Sequence, residues 1–260
     1  MILSTHGIVG SKASAPAAGI VTDGLVVSLE ASVYTSGSTT WLDQSGNGRN
    51  FTKNTNMVWV NAGLQSYFIL DGTDDAFLGP ASNALGLDAT TGYHTIEIGL
   101  SSDLSPITAN GKTPYSIYTT ASGEVGIHAH IPEGQILYDL NLSGSSPYNG
   151  LRVGYTAPTG NPGLPYPNTS YSFQKLPTPI PTYGYYVQMF ANAVSKLPLA
   201  GNPTTNVNMG TFSSTPMQLG SRNNNQYHPG KLYYFRIYNR ALTQADIDQN
   251  FAVDRVKLGI

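Results

Sequence analysis

The chain has 260 residues, with 13 Lys plus Arg against 15 Asp plus Glu, five His, no Cys and a formal charge of -2. That balance offers no broad positive field for phosphates or anionic lipid, and the missing cysteines exclude a disulfide framework, thiol chemistry and cysteine-ligated zinc. Charged residues make up 11% against roughly 25% in an ordinary soluble domain, so the expected surface is polar but uncharged, and no run approaches the length of a membrane span.

Residues 1–22 open with "MILSTHGIVGSKASAPAAG", which lacks the basic stretch and long apolar core of a secretory signal and shows no periodicity that would bury a face. They read as an extended attachment arm, with Ile2, Leu3, Ile8 and Val9 as its apolar contacts. From Asp23 the pattern changes: Leu25, Val27 and Leu29 alternate with Val26, Ser28 and Glu30, as in a half-buried strand. "SGNGRN" is a turn, since Gly46, Asn47 and Gly48 accept positive φ cheaply.

Period-two runs follow at "SYFILDG", "YHTIEIGL", "YSIYTT", "EVGIHAHI", "QILYDL", "LRVGY", "GYYVQMFA", "PMQLGS" and "KLYYFRIY", most of them separated by Gly, Pro, Asn or Asp. No sustained 3.6-residue pattern occurs before residue 243, which excludes a parallel βαβ sheet and leaves an antiparallel sandwich. Pro158, Pro162, Pro165, Pro167, Pro177, Pro179 and Pro181 each remove a ladder donor. The stretch 156–182 is therefore predicted as a long loop or insertion, either a contact arm or a connector.

In the last strand, Tyr233, Phe235 and Ile237 are predicted to share one face and Tyr234, Arg236 and Tyr238 the other. A helix should then start at Thr243, with Asp246 at its third position and Leu242 stapled to Ile247. Ile247 and Phe251, one turn apart, would cover an edge of the sandwich that otherwise invites strand pairing.

The closing run "KLYYFRIYNRALTQADIDQNF" resembles the final strand and helix of the concanavalin A-like, laminin G-type jelly-roll superfamily. "GLVVSLEAS…TTWLDQSGNGRNFT", with Trp41, Asp43, Ser45, Gly46 and Gly48, is similar to its opening strand and turn. "YFILDGTDDAF", with Asp71, Gly72, Asp74 and Asp75, looks like a third segment of the same pattern, and the three stand in the family's order. "HTIEIGL…GIHAHIPEGQILYDL" further resembles a form of this domain found in tailed-phage virion proteins. The resemblance implies an all-β, two-sheet antiparallel jelly-roll sandwich over residues 23–260, with an N-terminal arm and a short C-terminal helix. Because several relatives bind Ca²⁺ on rim loops, it also makes Asp71, Asp74 and Asp75 candidate ligands; a tight turn with solvated carboxylates is the competing reading.

Some relatives hydrolyse β-glucans, and a retaining glycosidase needs two carboxyls about 5–5.5 Å apart. Glu97 has Thr95 and Gly99 as same-face neighbours and reads as a solitary surface carboxylate, while Glu124 and Glu133 flank a strand without pairing. Nucleophile-elbow, phosphate-loop and HExxH patterns are all missing. His128 and His130 share a strand face and could take a metal with Asp139, or be ordinary sheet residues. "GSRNNNQYHPG" is a polar amide loop in which Asn224, Tyr227 and His228 could grip sugar hydroxyls.

Together these readings point to a non-enzymatic virion structural or accessory protein (a phage capsid decoration, head-fibre or tail component) with glycan-binding capacity. The alternative is a carbohydrate-binding lectin or adhesin, and a remoter one is a glycan hydrolase. Expected partners are other virion proteins, further copies in a homo-oligomer and a cell-surface glycan, with neither nucleic acid nor membrane. No cofactor beyond calcium is implied, and the expected location is the virion.

Overall fold

The computed structural model describes residues 19–88, 93–102, 112–119, 167–179, 186–196 and 211–260 in full, and the backbone alone at 125–131, 135–140, 151–156 and 166. Eight strands lie in the first half of the order: β1 Leu25–Glu30, β2 Thr40–Trp41, β3 Phe51–Lys53, β4 Val58–Val60, β5 Tyr67–Asp71, β6 Phe77–Ala81, β7 His94–Ser102 and β8 Lys112–Tyr118. Then come β9 Val125–Ile131, β10 Gln135–Leu140, β11 Leu151–Thr156, β12 Tyr166–Lys175, β13 Val187–Ala191, β14 Val194–Lys196, β15 Pro216–Leu219 and β16 Pro229–Tyr238, before the helix α1, Gln244–Leu258.

The strands form two antiparallel sheets. One runs β14-β13-β12-β7-β16-β5-β4, with β1 beside the second half of β16; the other runs β11-β10-β9-β8-β15-β6-β3-β2. The core lies between them, where Leu29, Ile98, Phe173 and Phe235 of the first sheet meet Phe51, Phe77, Tyr115 and Leu219 of the second. Ring contacts cross the gap from Phe235 to Tyr115 at 5.6 Å and to Phe51 at 6.4 Å. The all-β sandwich expected from the period-two runs is thus the fold.

The Trp-x-Asp-x-Ser-Gly turn fastens β1. Asp43 Oδ1 accepts from the Ser28 and Ser45 amides, each at 2.9 Å, and Oδ2 accepts from the Arg49 amide at 2.9 Å and the Ser45 hydroxyl at 2.8 Å. Trp41, fully buried, donates from its indole to the Glu30 carbonyl at 3.1 Å. The motif works on the fold, because one carboxylate satisfies donors from both the turn and the neighbouring strand.

Three expectations need correction. The stretch 156–182 is not a loop throughout, since β12 crosses it and pairs with both β7 and β13. Its segment from Asn168 to Lys175 is free of proline, and Pro167 falls where the β12–β7 register shifts, so little of the ladder is lost. Residues 19–22, expected to belong to the arm, do not. Val21 is buried with Phe190, Tyr238, Leu242 and Ile247, which places 19–22 in the body; Ile2, Leu3, Ile8 and Val9 lie outside the described residues.

The third correction concerns β16. Its register against β7 shifts between Leu232 and Tyr234, a bulge that turns Tyr233 off the core-facing row. Leu232, Phe235 and Ile237 face the core, while Tyr233 joins Tyr234 and Leu258 on the other side. Gly99 of β7 makes room for the Tyr234 ring there, because a Cβ at that position would come within 2.3 Å of it.

The β13–β14 hairpin has a two-residue turn, Asn192-Ala193, with φ of 51° and 60°. Such a turn favours glycine at its second position, and a left-handed alanine costs roughly 1–2 kcal/mol in backbone energy. Ala193→Gly is expected to raise the unfolding free energy by about 0.5–1 kcal/mol, part of the gain being offset by glycine's larger unfolded-state entropy. Urea denaturation would measure this, and a loss instead would mean that the methyl's packing beside α1 outweighs the strain.

Candidate functional site

Two of the segments singled out in the sequence meet at one rim of the sandwich. Pro229 at the start of β16 pairs with Asp71 at the end of β5, which brings the turn 71–75 beside the loop 220–228. Lys112, opening β8, ties the two together: its Nζ donates to the Gly72 carbonyl at 3.3 Å, and the next residue's amide donates to the Gln226 carbonyl at 3.0 Å.

The acidic turn is organised by its own carboxylates. Asp71 Oδ1 accepts from the Thr73 amide at 2.7 Å and the Asp74 amide at 3.3 Å. Asp75, buried, accepts from the Asp71 amide at 3.0 Å and from the Thr55 hydroxyl. One oxygen from each of Asp71, Asp74 and Asp75 lies within 4.8 Å of the others, a spacing that fits a hard cation such as Ca²⁺. The turn's hydrogen bonds account for Asp71 and Asp75 without one. Beside it opens a cleft of about 350 Å³, lined by Thr55, Asn56, Met57, Val58 and Ile69 as well as the three aspartates.

The amide loop is tied to β8 and β15 by hydrogen bonds. Asn223, Asn224 and Gln226 hold φ between 51° and 53°, and Arg222 and Asn225 bridge as the ends of a tight turn. Gln218 of β15 donates to Asn224 Oδ1 at 3.0 Å and accepts from the Ser221 hydroxyl at 2.9 Å; the Tyr118 hydroxyl accepts from the Asn223 amide at 3.0 Å. Ser116 Oγ donates to the Ser221 carbonyl at 2.9 Å. This support leaves Asn223, Asn224 and Asn225 exposed as a preset row of amides, with Tyr227 half-buried behind them.

His228 does not belong to that surface. It is 1% exposed, its Nε2 donates to the Ser101 carbonyl at 3.3 Å, and its Nδ1 has no partner among the described residues. Burial, reinforced by the charge of Lys112 and opposed by the Ser101 carbonyl, lowers its pKa to about 4. It is therefore a neutral interior residue rather than a sugar contact. The side chains of His128, His130 and Asp139 lie outside the described residues; the backbone register sets Asp139 directly across from His128.

A further cluster was missed in the sequence. Glu97 is 1% exposed and sits under α1, not at the surface. Arg236, with no exposure, reaches Asp254 at 2.6 and 2.7 Å, Glu30 at 2.7 and 3.1 Å and Glu97 at 3.3 Å. Lys257 Nζ completes the group at 2.6 Å from Glu30. Burial works against the guanidinium charge, but Asp254, Glu30 and Glu97 outweigh it and hold the Arg236 pKa above its ordinary value. Glu97 and Asp254 thus share one guanidinium nitrogen, yet both are shut away from any dissolved substrate while α1 stays docked. A polar stripe on the helix was the available clue: Asn250 and Asp254 are buried in line with Ile247 and Leu258, whereas Phe251 is only half-buried.

No protein-family model matches the chain, and neither does any curated protein. Solved structures share its architecture. The receptor-binding domain of botulinum neurotoxin type G aligns with a TM-score of 0.61 and 13% identity, over 89% of this chain and 52% of that one. The receptor-binding domain of the mosaic botulinum serotype C/D gives 0.65 and 13%, over 89% and 51%. A sialidase of Trypanosoma rangeli gives 0.58 and 15%, over 90% and 33%. The chain spans about half the length of the toxin domains and a third of the sialidase. At such identities the likeness establishes an all-β, two-sheet sandwich fold and nothing finer.

Proposed function

We propose that this protein is a non-enzymatic attachment module of lectin type, which grips a glycan at the rim where the turn 71–75 meets the loop 222–227. The observation that carries this reading is the junction itself: the loop that bears a row of exposed amides and a half-buried tyrosine is joined, through Pro229 and Lys112, to the carboxylate turn that lines an open cleft. Amides and aromatic rings suit sugar hydroxyls and sugar faces, and a rigid loop loses little entropy on binding. Calcium held by Asp71, Asp74 and Asp75 would stiffen the turn further and could supply a ligand position for a hydroxyl pair.

The non-catalytic reading is supported by the state of the carboxylates. Among the described residues, Asp71 and Asp75 are tied into a turn, and Glu97 and Asp254 are matched with Arg236 beneath the helix. The receptor-binding domains that share the fold are consistent with it. Placement on a virus particle, as a decoration, head-fibre or tail component that self-associates, draws on the resemblance to phage virion proteins and on a surface low in charge.

Glycan-array binding by the intact chain tests the first part. Binding should fall at least tenfold for Asn224→Ala and for Asp74→Ala, and should weaken in EDTA if calcium takes part; silence across a broad array would overturn the reading. Incubation with the bound glycan should release no reducing sugar. Deleting residues 1–18, which leaves the packed segment 19–22 intact, should abolish incorporation into particles; unchanged incorporation would overturn the virion placement.

A further inference from the structure

The outer face of the first sheet is polar beneath α1, and the charges there do not balance. Two cations, Arg236 on β16 and Lys257 on α1, face three carboxylates, Glu30 on β1, Glu97 on β7 and Asp254 on α1. Asp254 and Glu30 take the close contacts with Arg236, at 2.6 and 2.7 Å, and leave Glu97 the longest, at 3.3 Å. Ionised, Glu97 is a surplus buried charge that faces Asp254; protonated, it leaves the cluster neutral. Among the described residues the other groups around it are uncharged: Ser172 of β12 at 3.2 Å, Asn250 of α1 at 2.9 Å, and Tyr234 and Tyr238, whose hydroxyls burial pushes above the ordinary range.

The amide of Asn250 links this cluster to the start of the described chain. Its Nδ2 donates to Glu97 Oε2 at 2.9 Å and to the Tyr238 hydroxyl at 3.0 Å, while its Oδ1 accepts from the Val21 amide at 2.8 Å. Tyr238 donates onward to the Val21 carbonyl at 3.1 Å, and Gln249 donates to the Gly19 carbonyl at 2.7 Å. Residues 19–22 are thus held by the same helix that closes over Glu97.

We propose that α1 and residues 19–22 form a proton-controlled clasp, shut over the sheet when Glu97 is neutral and loosened when it is ionised. Few apolar contacts oppose the loosening, since among the buried residues of α1 only Ile247 and Leu258 are apolar. Burial foremost, with Asp254 adding to it and Arg236 opposing, raises the Glu97 pKa to about 7, so the change falls near neutrality. The clasp does not depend on what the rim binds. It provides a way for solution conditions to free the segment that joins the body to residues 1–18.

Hydrogen exchange of the intact chain, corrected for intrinsic rates, tests the clasp between pH 5 and pH 8. Protection of 19–22 and of 244–258 should fall together by roughly fifty- to a hundredfold, while β8 and β15 in the other sheet keep theirs. In Glu97→Gln both segments should stay at the protected level throughout. Asn250→Ala should expose 19–22 at every pH yet leave the helix responsive. Wild-type protection that does not change with pH, a response that spreads equally through both sheets, or a Glu97→Gln variant that responds like wild type would each overturn the clasp. Should Glu97→Gln not fold, the wild-type profile alone decides.

Discussion

Arg236→Met is expected to lower the unfolding free energy at pH 7 by about 3–5 kcal/mol, because removing one partner of a buried ion cluster leaves the others uncompensated. The guanidinium lies 4.4 Å from the Tyr234 ring centre and bonds three carboxylates. Methionine fills much of the same volume, so the cost would arise mainly from Glu30, Asp254 and Glu97 left facing one another. The penalty should therefore shrink as pH falls toward 5, where protonation neutralises the orphaned acids. Arg236→Lys should fall between wild type and methionine, since an ammonium keeps the charge but cannot bond two carboxylates in a fork. Urea titrations at the two pH values measure both points. A methionine penalty under about 1 kcal/mol at pH 7 would show that the cluster is an electrostatic bystander.

Period two alone exposed ten of the strands, including β7, β8 and β16, since each is long enough for alternation to show. The strands β2, β3, β4 and β14 span two or three residues, too few for a period to register, and they exist because longer neighbours offer them a ladder. β12 was hidden by Pro167 near its start and by the prolines on either side of it, a composition signal that says nothing about the proline-free run from Asn168 to Lys175. The bulge at Tyr233 could not be read because it arises from the pairing of β16 with β7 rather than from either sequence.

At the rim, the carboxylate turn and amide loop were legible as separate segments. What could not be seen was that β5 and β16 pair and so bring them together. His228 misled for a related reason: it follows three asparagines and a glutamine in sequence, but the chain has already turned inward toward β16 by that residue. Glu97 misled because the outer face of a sandwich strand meets water by default. Here that face is roofed, and the matching pattern begins 153 residues away, in a helix whose buried stripe carries Asn250 and Asp254.

Glu97 and His228 should give wild-type stability a level stretch between about pH 4.5 and 6.5 that splits in opposite directions when either is replaced. The Glu97 pKa is raised from 4.5 to about 7, so its contribution is full below 4.5 and lost as pH rises through 7, a change of about 3 kcal/mol. The His228 pKa is lowered from 6.5 to about 4, so its contribution is full above 6.5 and lost as pH falls through 4, again about 3 kcal/mol. Over the shared interval one slope falls with pH while the other rises, and they offset. Glu97→Gln removes the falling limb, so relative to wild type it should gain stability as pH rises from 4.5 to 7. His228→Gln keeps a donor for the Ser101 carbonyl but cannot take up a proton, so it should gain relative to wild type as pH falls from 6.5 to 4. Denaturant titrations at intervals of one pH unit would resolve both, and a variant curve parallel to wild type across this range would mean that the group replaced does not change its protonation on folding.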